Sequence, residues 1–143
     1  MQIKDQRTEI LIRNSGDSKL HQVASAFFNA TVNSSYSYCF DWLNRPIIQY
    51  PQDIVAFQEL VSTVKPDLII ETGIAHGGSL VLSASLLCLL DVMEGLDPRQ
   101  SPRKVVDEHP LRFKIDLIQG SSIAPEIIQQ LRSHANGVDP ILM

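Results

Sequence analysis

The sequence predicts an α/β protein built on a mostly parallel sheet flanked by helices. Three observations carry that expectation. Leu68-Ile69-Ile70 is an unbroken apolar run, as in a parallel strand covered on both faces. It ends on Glu71 and passes through Gly73, Gly77 and Gly78 into a helix, which is the connection a strand makes to a packed helix. Two more strand-like runs follow, Lys104 to Val106 and Phe113 to Gln119, and then a helix from Pro125 to about His134.

Taken in order, Gln2 to Arg13 holds a short apolar patch, Ile10-Leu11-Ile12, that fits a strand or a helix edge equally well. Asn14 to Ser18 has turn composition. Lys19 to Asn33 reads as a helix whose Leu20, Val23, Ala24, Phe27 and Phe28 share one face, expected to be core. Tyr36 to Pro51, rich in aromatics with Pro46 and Pro51, is expected to be extended and ordered. Asp53 is placed to cap a helix from Ile54 to about Val64, with Val55, Leu60 and Val64 facing inward. Pro66 keeps that helix out of the strand. Leu80 to Leu90 is almost wholly apolar and reads as a buried helix, with Ser79 placed to cap it. Asp91 to Pro102 reads as a loop. Pro125 suits the first turn of the last helix, and Asp139 to Met143 begins a fourth strand. The expected division is an N-terminal helical and extended segment, 1–52, and a partial α/β domain, 53–143.

At 143 residues the chain is one domain at most, small for a complete doubly wound sheet. Its 44% hydrophobic and 20% charged residues are ordinary for a globular protein. A net charge of −4 provides no footprint for nucleic acid or an anionic membrane. No stretch approaches the roughly 20 apolar residues of a membrane span. The charged start, Met1 to Asn14, lacks a signal-type apolar core, so a cytoplasmic location is expected. Cys39 and Cys88 have no partners at zinc spacing, and Cys88 reads as a packed small hydrophobe.

The strand-to-helix turn from Lys65 to Ser79 is the candidate site. Such turns bind nucleotides and nucleoside-like cofactors in open α/β sheets. Any βα connection needs a tight turn, so glycine alone does not require a ligand. The carboxylate of Glu71, the double glycine at the helix entry and the lack of another obvious site favour one. The Gly-Lys-Ser/Thr of a triphosphate loop and the Gly-x-Gly-x-x-Gly of dinucleotide sites are both missing. A cofactor without a pyrophosphate, whose ribose a carboxylate can bind, fits better, and S-adenosylmethionine leads.

Trp42 with Pro46, Gln49, Pro51 and Asp53, then Lys65 to Ser79, then His109-Pro110-Leu111 leading to Ile118-Gln119-Gly120-Ser121-Ser122, form an ordered series. In these motifs the chain resembles the cephalosporin hydroxylase and rhamnosyl O-methyltransferase family over roughly residues 36 to 135. The resemblance implies a Rossmann-like methyltransferase fold, here partial, and S-adenosylmethionine as cofactor. It implies that Glu71 and Gly73 line the cofactor site and that Gly77, Gly78 and Ser79 lie beside the methionine carboxylate. By the same resemblance Gly120 and Ser121 lie near the adenine. His76 either touches cofactor or substrate or is only a solvated loop histidine.

Two departures temper this. Family members carry an acidic Gly-x-Asp-x-Asp stretch after the second strand, whereas Val106 here runs straight into Asp107-Glu108-His109-Pro110. Only eight residues separate Val106 from Ile115, and a parallel crossover takes a dozen or more. Asp107 is the best stand-in for the ribose-binding acid and Asp97 a weaker one; Asp107 reads equally well as a charged loop residue. The family also continues into an Asp-Ser-x-His type motif and acidic residues that resemble Mg²⁺ ligands in some members. Those are not in this sequence, and no carboxylate pair here has metal-ligand spacing, so no metal site is expected.

The expected function is an S-adenosylmethionine-dependent O-methyltransferase-like protein acting on a hydroxyl of a sugar or small secondary metabolite, with no catalytic residue assigned. The rival is a truncated, non-catalytic remnant that binds cofactor weakly or not at all, or persists as a homo-oligomer covering its exposed sheet edge. Oxygenase chemistry finds no 2-His-1-carboxylate set among His21, His76, His109 and His134.

Overall fold

The computed structural model describes residues 3–95, 116 and 118–142. Compactness divides the chain into two units, the first ending at Ser37 and the second starting at Tyr38. The expected strand over Lys104 to Val106, the short crossover to Ile115, the His109-Pro110-Leu111 segment, Asp97 and Asp107 all lie outside the described residues.

The first unit is helical. α1 (Ile3–Ser15) and α2 (Ser18–Asn33) are separated at Gly16 and Asp17, which resolves the Ile10-Leu11-Ile12 patch as helix. Asp17 caps α2, its Oδ1 accepting from the backbone N–H groups of Lys19 at 2.9 Å and Leu20 at 3.0 Å. These bonds satisfy donors that the first turn leaves without carbonyl partners. The expectation that Leu20, Val23, Ala24, Phe27 and Phe28 are core is not met, since all five are exposed. Helical spacing identifies an apolar face but not whether a neighbour covers it. Phe27 stacks edge-on against Tyr36, with ring centroids 5.9 Å apart.

The second unit opens with an antiparallel hairpin of β1 (Phe40–Trp42) and β2 (Arg45–Ile47). Leu43 and Asn44 form its two-residue turn, with φ of 47° and 65°. Both turn residues having positive φ matches the hairpin turn whose twist suits the strands. α3 (Pro51–Val64) follows. Its N-cap is Tyr50, not Asp53, because Pro51 takes the first helical position and the Tyr50 carbonyl accepts from the N–H groups of Asp53 and Ile54. Asp53 instead places its charge in the first turn, where the helix dipole favours it. The helix is also rotated from expectation: Ile54, Phe57 and Val61 face the core, while Val55, Leu60 and Val64 are exposed. Apolar residues lie on both sides of α3, so periodicity alone could not choose between them.

Lys65 ends α3 in the left-handed region, its N–H reaching the Val61 carbonyl at 2.8 Å. Pro66 then starts the chain towards β3 (Leu68–Ile70). β3 pairs in parallel with β4 (Pro140–Leu142), with Ile69 opposite Ile141. Between them in sequence lie α4 (Gly78–Met93) and α5 (Pro125–His134). Asp116, Ile118 and Gln119, expected in a third strand, are not in strand conformation. A strand requires a hydrogen-bonded neighbour as well as a suitable residue pattern. The described residues thus form a mixed α/β structure with two two-stranded sheets, one antiparallel and one parallel.

The core is centred on α4. Leu80, Leu82, Ala84, Leu86, Leu87 and Leu90 are buried with Ile47 of β2, Val61 of α3 and Ile69 of β3. A helix apolar on nearly every side needs neighbours on several sides, and hairpin, α3 and β3 supply them. Among the described residues, no helix is long and apolar enough to cross a membrane.

Candidate functional site

β3 delivers its carboxyl end to the Glu71–Gly77 turn. The turn alternates in backbone sign, with positive φ at Gly73 (84°), Ala75 (45°) and Gly77 (80°). Gly77 is the N-cap of α4 and offers no side chain to cap it. Ser79, expected as the cap, instead sits in the first turn and donates its hydroxyl hydrogen bond to Oε1 of Glu71.

Glu71 is the electrostatic focus of the turn. Its Oε2 is buried and has no hydrogen-bond partner among the described residues. Burial raises the carboxyl's pKa above its ordinary value, and the Ser79 hydrogen bond pulls it part of the way back. A buried acceptor left open is costly, and such groups in folded proteins usually have a partner.

A cavity of about 640 Å³ lies beside this carboxylate, within the range of small-ligand sites. It runs the length of β3, from Asp67 before the strand to Ile74 beyond it. Its lining also includes Ile118, Gln119 and Gly120 and Ile127, Leu131 and His134 of α5. Of the sequence-predicted residues, Glu71, Gly73 and Gly120 line it; Ser79 reaches it through Glu71. His76, Gly77, Gly78 and Ser121 are not in its lining, and Asp107 lies outside the described residues.

Two glycines have packing reasons for their identity. A Cβ on Gly78 would stand 2.3 Å from the Pro46 carbonyl oxygen, so the hairpin rests directly on the entry to α4. A Cβ on Gly120 would come 2.5 Å from Cδ1 of Ile127, so a larger residue there would have to displace that side chain of α5.

Sequence reasoning missed Asp116 and His134, which also line the cavity. His134 has Nδ1 2.9 Å from the Gln130 carbonyl. Ile127, Leu131 and His134 recur at helical spacing, a signal that places them on one face of α5. Asp116 carries no comparable signal. Among the described residues, no group of three His, Cys, Asp or Glu side chains is placed to hold a metal ion.

With this geometry in place, comparison with known proteins adds one decisive match. The family model for rhamnosyl O-methyltransferase/CmcI matches residues 34–143. The chain belongs to that family. The chain has no significant match among curated proteins, nor among solved structures. The matched span starts just before the hairpin and includes the whole of the Lys65–Ser79 turn, so the cavity and its carboxylate lie inside the family region.

Proposed function

We propose that the chain is an S-adenosylmethionine-dependent O-methyltransferase acting on a hydroxyl of a sugar or small secondary metabolite. One observation carries the cofactor part: Glu71, the carboxylate that ends β3, lines a cavity of about 640 Å³. The ribose hydroxyls and the ammonium of S-adenosylmethionine are hydrogen-bond donors, and a carboxylate suits either. The cavity has room for a nucleoside-sized molecule and carries apolar surface from Ile74, Ile118 and Ile127.

The topology agrees with this reading. In a Rossmann-like sheet the first strand lies between the second and the fourth, and ligands bind at the carboxyl ends where strand order reverses. β3, read as the first strand, pairs in parallel with β4, read as the fourth. Glu71 follows β3 directly at that end.

When bound, the cofactor supplies an electrophilic methyl group on a sulfonium. This chain's part is to bind and orient. Glu71 holds a donor group at the strand end, and the apolar side chains of the cavity pack against the rest of the cofactor. Alignment of a nucleophile with its target is itself a large part of rate acceleration. No side chain is assigned as the base. No Mg²⁺ site is part of the proposal, since among the described residues no group of three His, Cys, Asp or Glu side chains is placed to hold one.

Calorimetric titration with S-adenosylmethionine tests the proposal. Saturable binding by the wild-type chain and its loss in Glu71→Ala are expected. Unchanged affinity in the variant overturns the assignment. A thermal melt at millimolar cofactor should show a raised midpoint by mass action; no shift favours the non-catalytic remnant.

A further inference from the structure

We propose that α2 is the interface of a homodimer: its apolar stripe of Leu20, Val23, Ala24, Phe27 and Phe28 packs antiparallel against the same stripe of a second copy. No residue of the stripe lines the cavity, and the inference is independent of the methyl-transfer reading.

The first unit lacks a core of its own. Among residues 6–37 only Thr31 is buried, and no apolar side chain is. Leu20, Val23, Phe27 and Phe28 are 45–60% exposed. A helix of 16 residues with no packed face is marginal in water, because most helical stability in proteins comes from burying one face. Units below about 40 residues usually rely on a disulfide, a metal or oligomerisation. The unit Met1–Ser37 is below that size and holds no cysteine. Among the described residues no group is placed to bind a metal ion. Association is the route that this exposed stripe serves.

The stripe is complementary to itself. A two-fold axis between Val23 and Ala24 sets Leu20 against the partner's Phe27, and Val23 against the partner's Ala24. The small alanine at the centre lets the two helix axes approach closely. Lys19 and His21 are the only ionisable side chains of α2. The same axis sets them opposite the partner's Phe28 and the partner's Ala26, so like charges do not meet. Antiparallel helices also oppose their dipoles. The Thr31 hydroxyl is satisfied within its own helix, 2.9 Å from the Phe27 carbonyl oxygen and 2.8 Å from that of Phe28. Covering that end of the stripe therefore leaves no open polar group.

The area is also sufficient. The exposed parts of these five side chains come to about 450 Å² of apolar surface, and interfaces are a little over half apolar, which implies about 800 Å² per partner, the size found in stable complexes.

Sedimentation equilibrium of the full chain tests the proposal. Twice the chain mass is expected, with Val23→Glu and Ala24→Lys each reduced to a monomer. An equimolar mixture of the two variants should recover a dimer, because the two-fold sets position 23 of one copy beside position 24 of the other. Trp42, the chain's one tryptophan, lies in the second unit, so its fluorescence melt shows whether that unit stays folded in each variant. Phe27→Ala, which only trims the stripe, should weaken association roughly tenfold or more. A monomeric wild-type chain overturns the proposal. So does a dimer that survives all three substitutions, which would place the contact elsewhere, or a mixture that stays monomeric.

Discussion

The indole Nε1–H of Trp42 donates to Oγ of Ser85 at 3.1 Å, tying the end of the hairpin to the middle of α4. Ser85 passes the bond on by donating to the Leu82 carbonyl at 2.7 Å. Trp42→Phe keeps most of the ring's packing and removes the bond. It should lower stability by about 1 kcal/mol in urea denaturation. A double-mutant cycle with Ser85→Ala should return a coupling of similar size, and a coupling near zero would show that the bond contributes nothing.

The two adjacent glycines at the α4 entry should respond differently to the same change. Gly78→Ala forces a methyl to within 2.3 Å of a backbone oxygen, which only a shift of the hairpin relieves. A loss of about 3 kcal/mol is expected, the upper end for overpacking. Gly77→Ala meets nothing within 4 Å but must hold φ near 80°. Its loss should be roughly 1–2 kcal/mol, the strain of a left-handed alanine. Thermal melts of both variants check the order.

The hairpin turn can be improved. Leu43 has positive φ and is exposed, so nothing buried is lost by replacing it. Asn-Gly is the favoured pair for a turn with both central residues at positive φ. Leu43→Asn with Asn44→Gly should raise stability by roughly 0.5–1 kcal/mol, read as a higher denaturation midpoint with an unchanged slope. A fall in stability would mean that the turn is not of this type.

Glu71 should make stability fall as pH rises. Its folded-state pKa is raised by burial, so the folded chain holds the proton more tightly than the unfolded chain. That contribution is fully present below the unfolded-state value and is lost as pH climbs through the folded-state value. Glu71→Gln removes the charge, so it should melt a few degrees higher than wild type at neutral pH. The difference should vanish at acidic pH. A gap that stays constant with pH would assign it to packing instead.

How much of this was legible in the sequence varied with the kind of signal. β3, the turn after it and α5 were plain, because an unbroken apolar run, glycines at a strand end and a proline at a helix start each have a local physical cause. The hairpin was not, since Leu43-Asn44 lacks the Asn-Gly pattern and the strands are only three residues long. The inward face of α3 was misread because burial depends on what lies opposite, not on the helix itself. Within the site, Glu71 stood out as a charge ending an apolar strand. The bond from Ser79 could not be read, because serine before an apolar helix looks like a cap whichever way its hydroxyl turns. Asp116 and His134 come together with Glu71 only through the tertiary fold.

The parallel pairing of β3 with β4 bears on how the chain acquires its shape. The β1–β2 hairpin closes over two residues and can form in microseconds. β3 has to wait for a strand that follows both α4 and α5 in sequence. Long-range pairing of this kind is slow because the entropy of loop closure falls due before any contact repays it. During synthesis β3 emerges well ahead of β4, so this pair forms only after α4 and α5 have been made. The parallel pair that precedes Glu71 therefore forms late, once β4 docks.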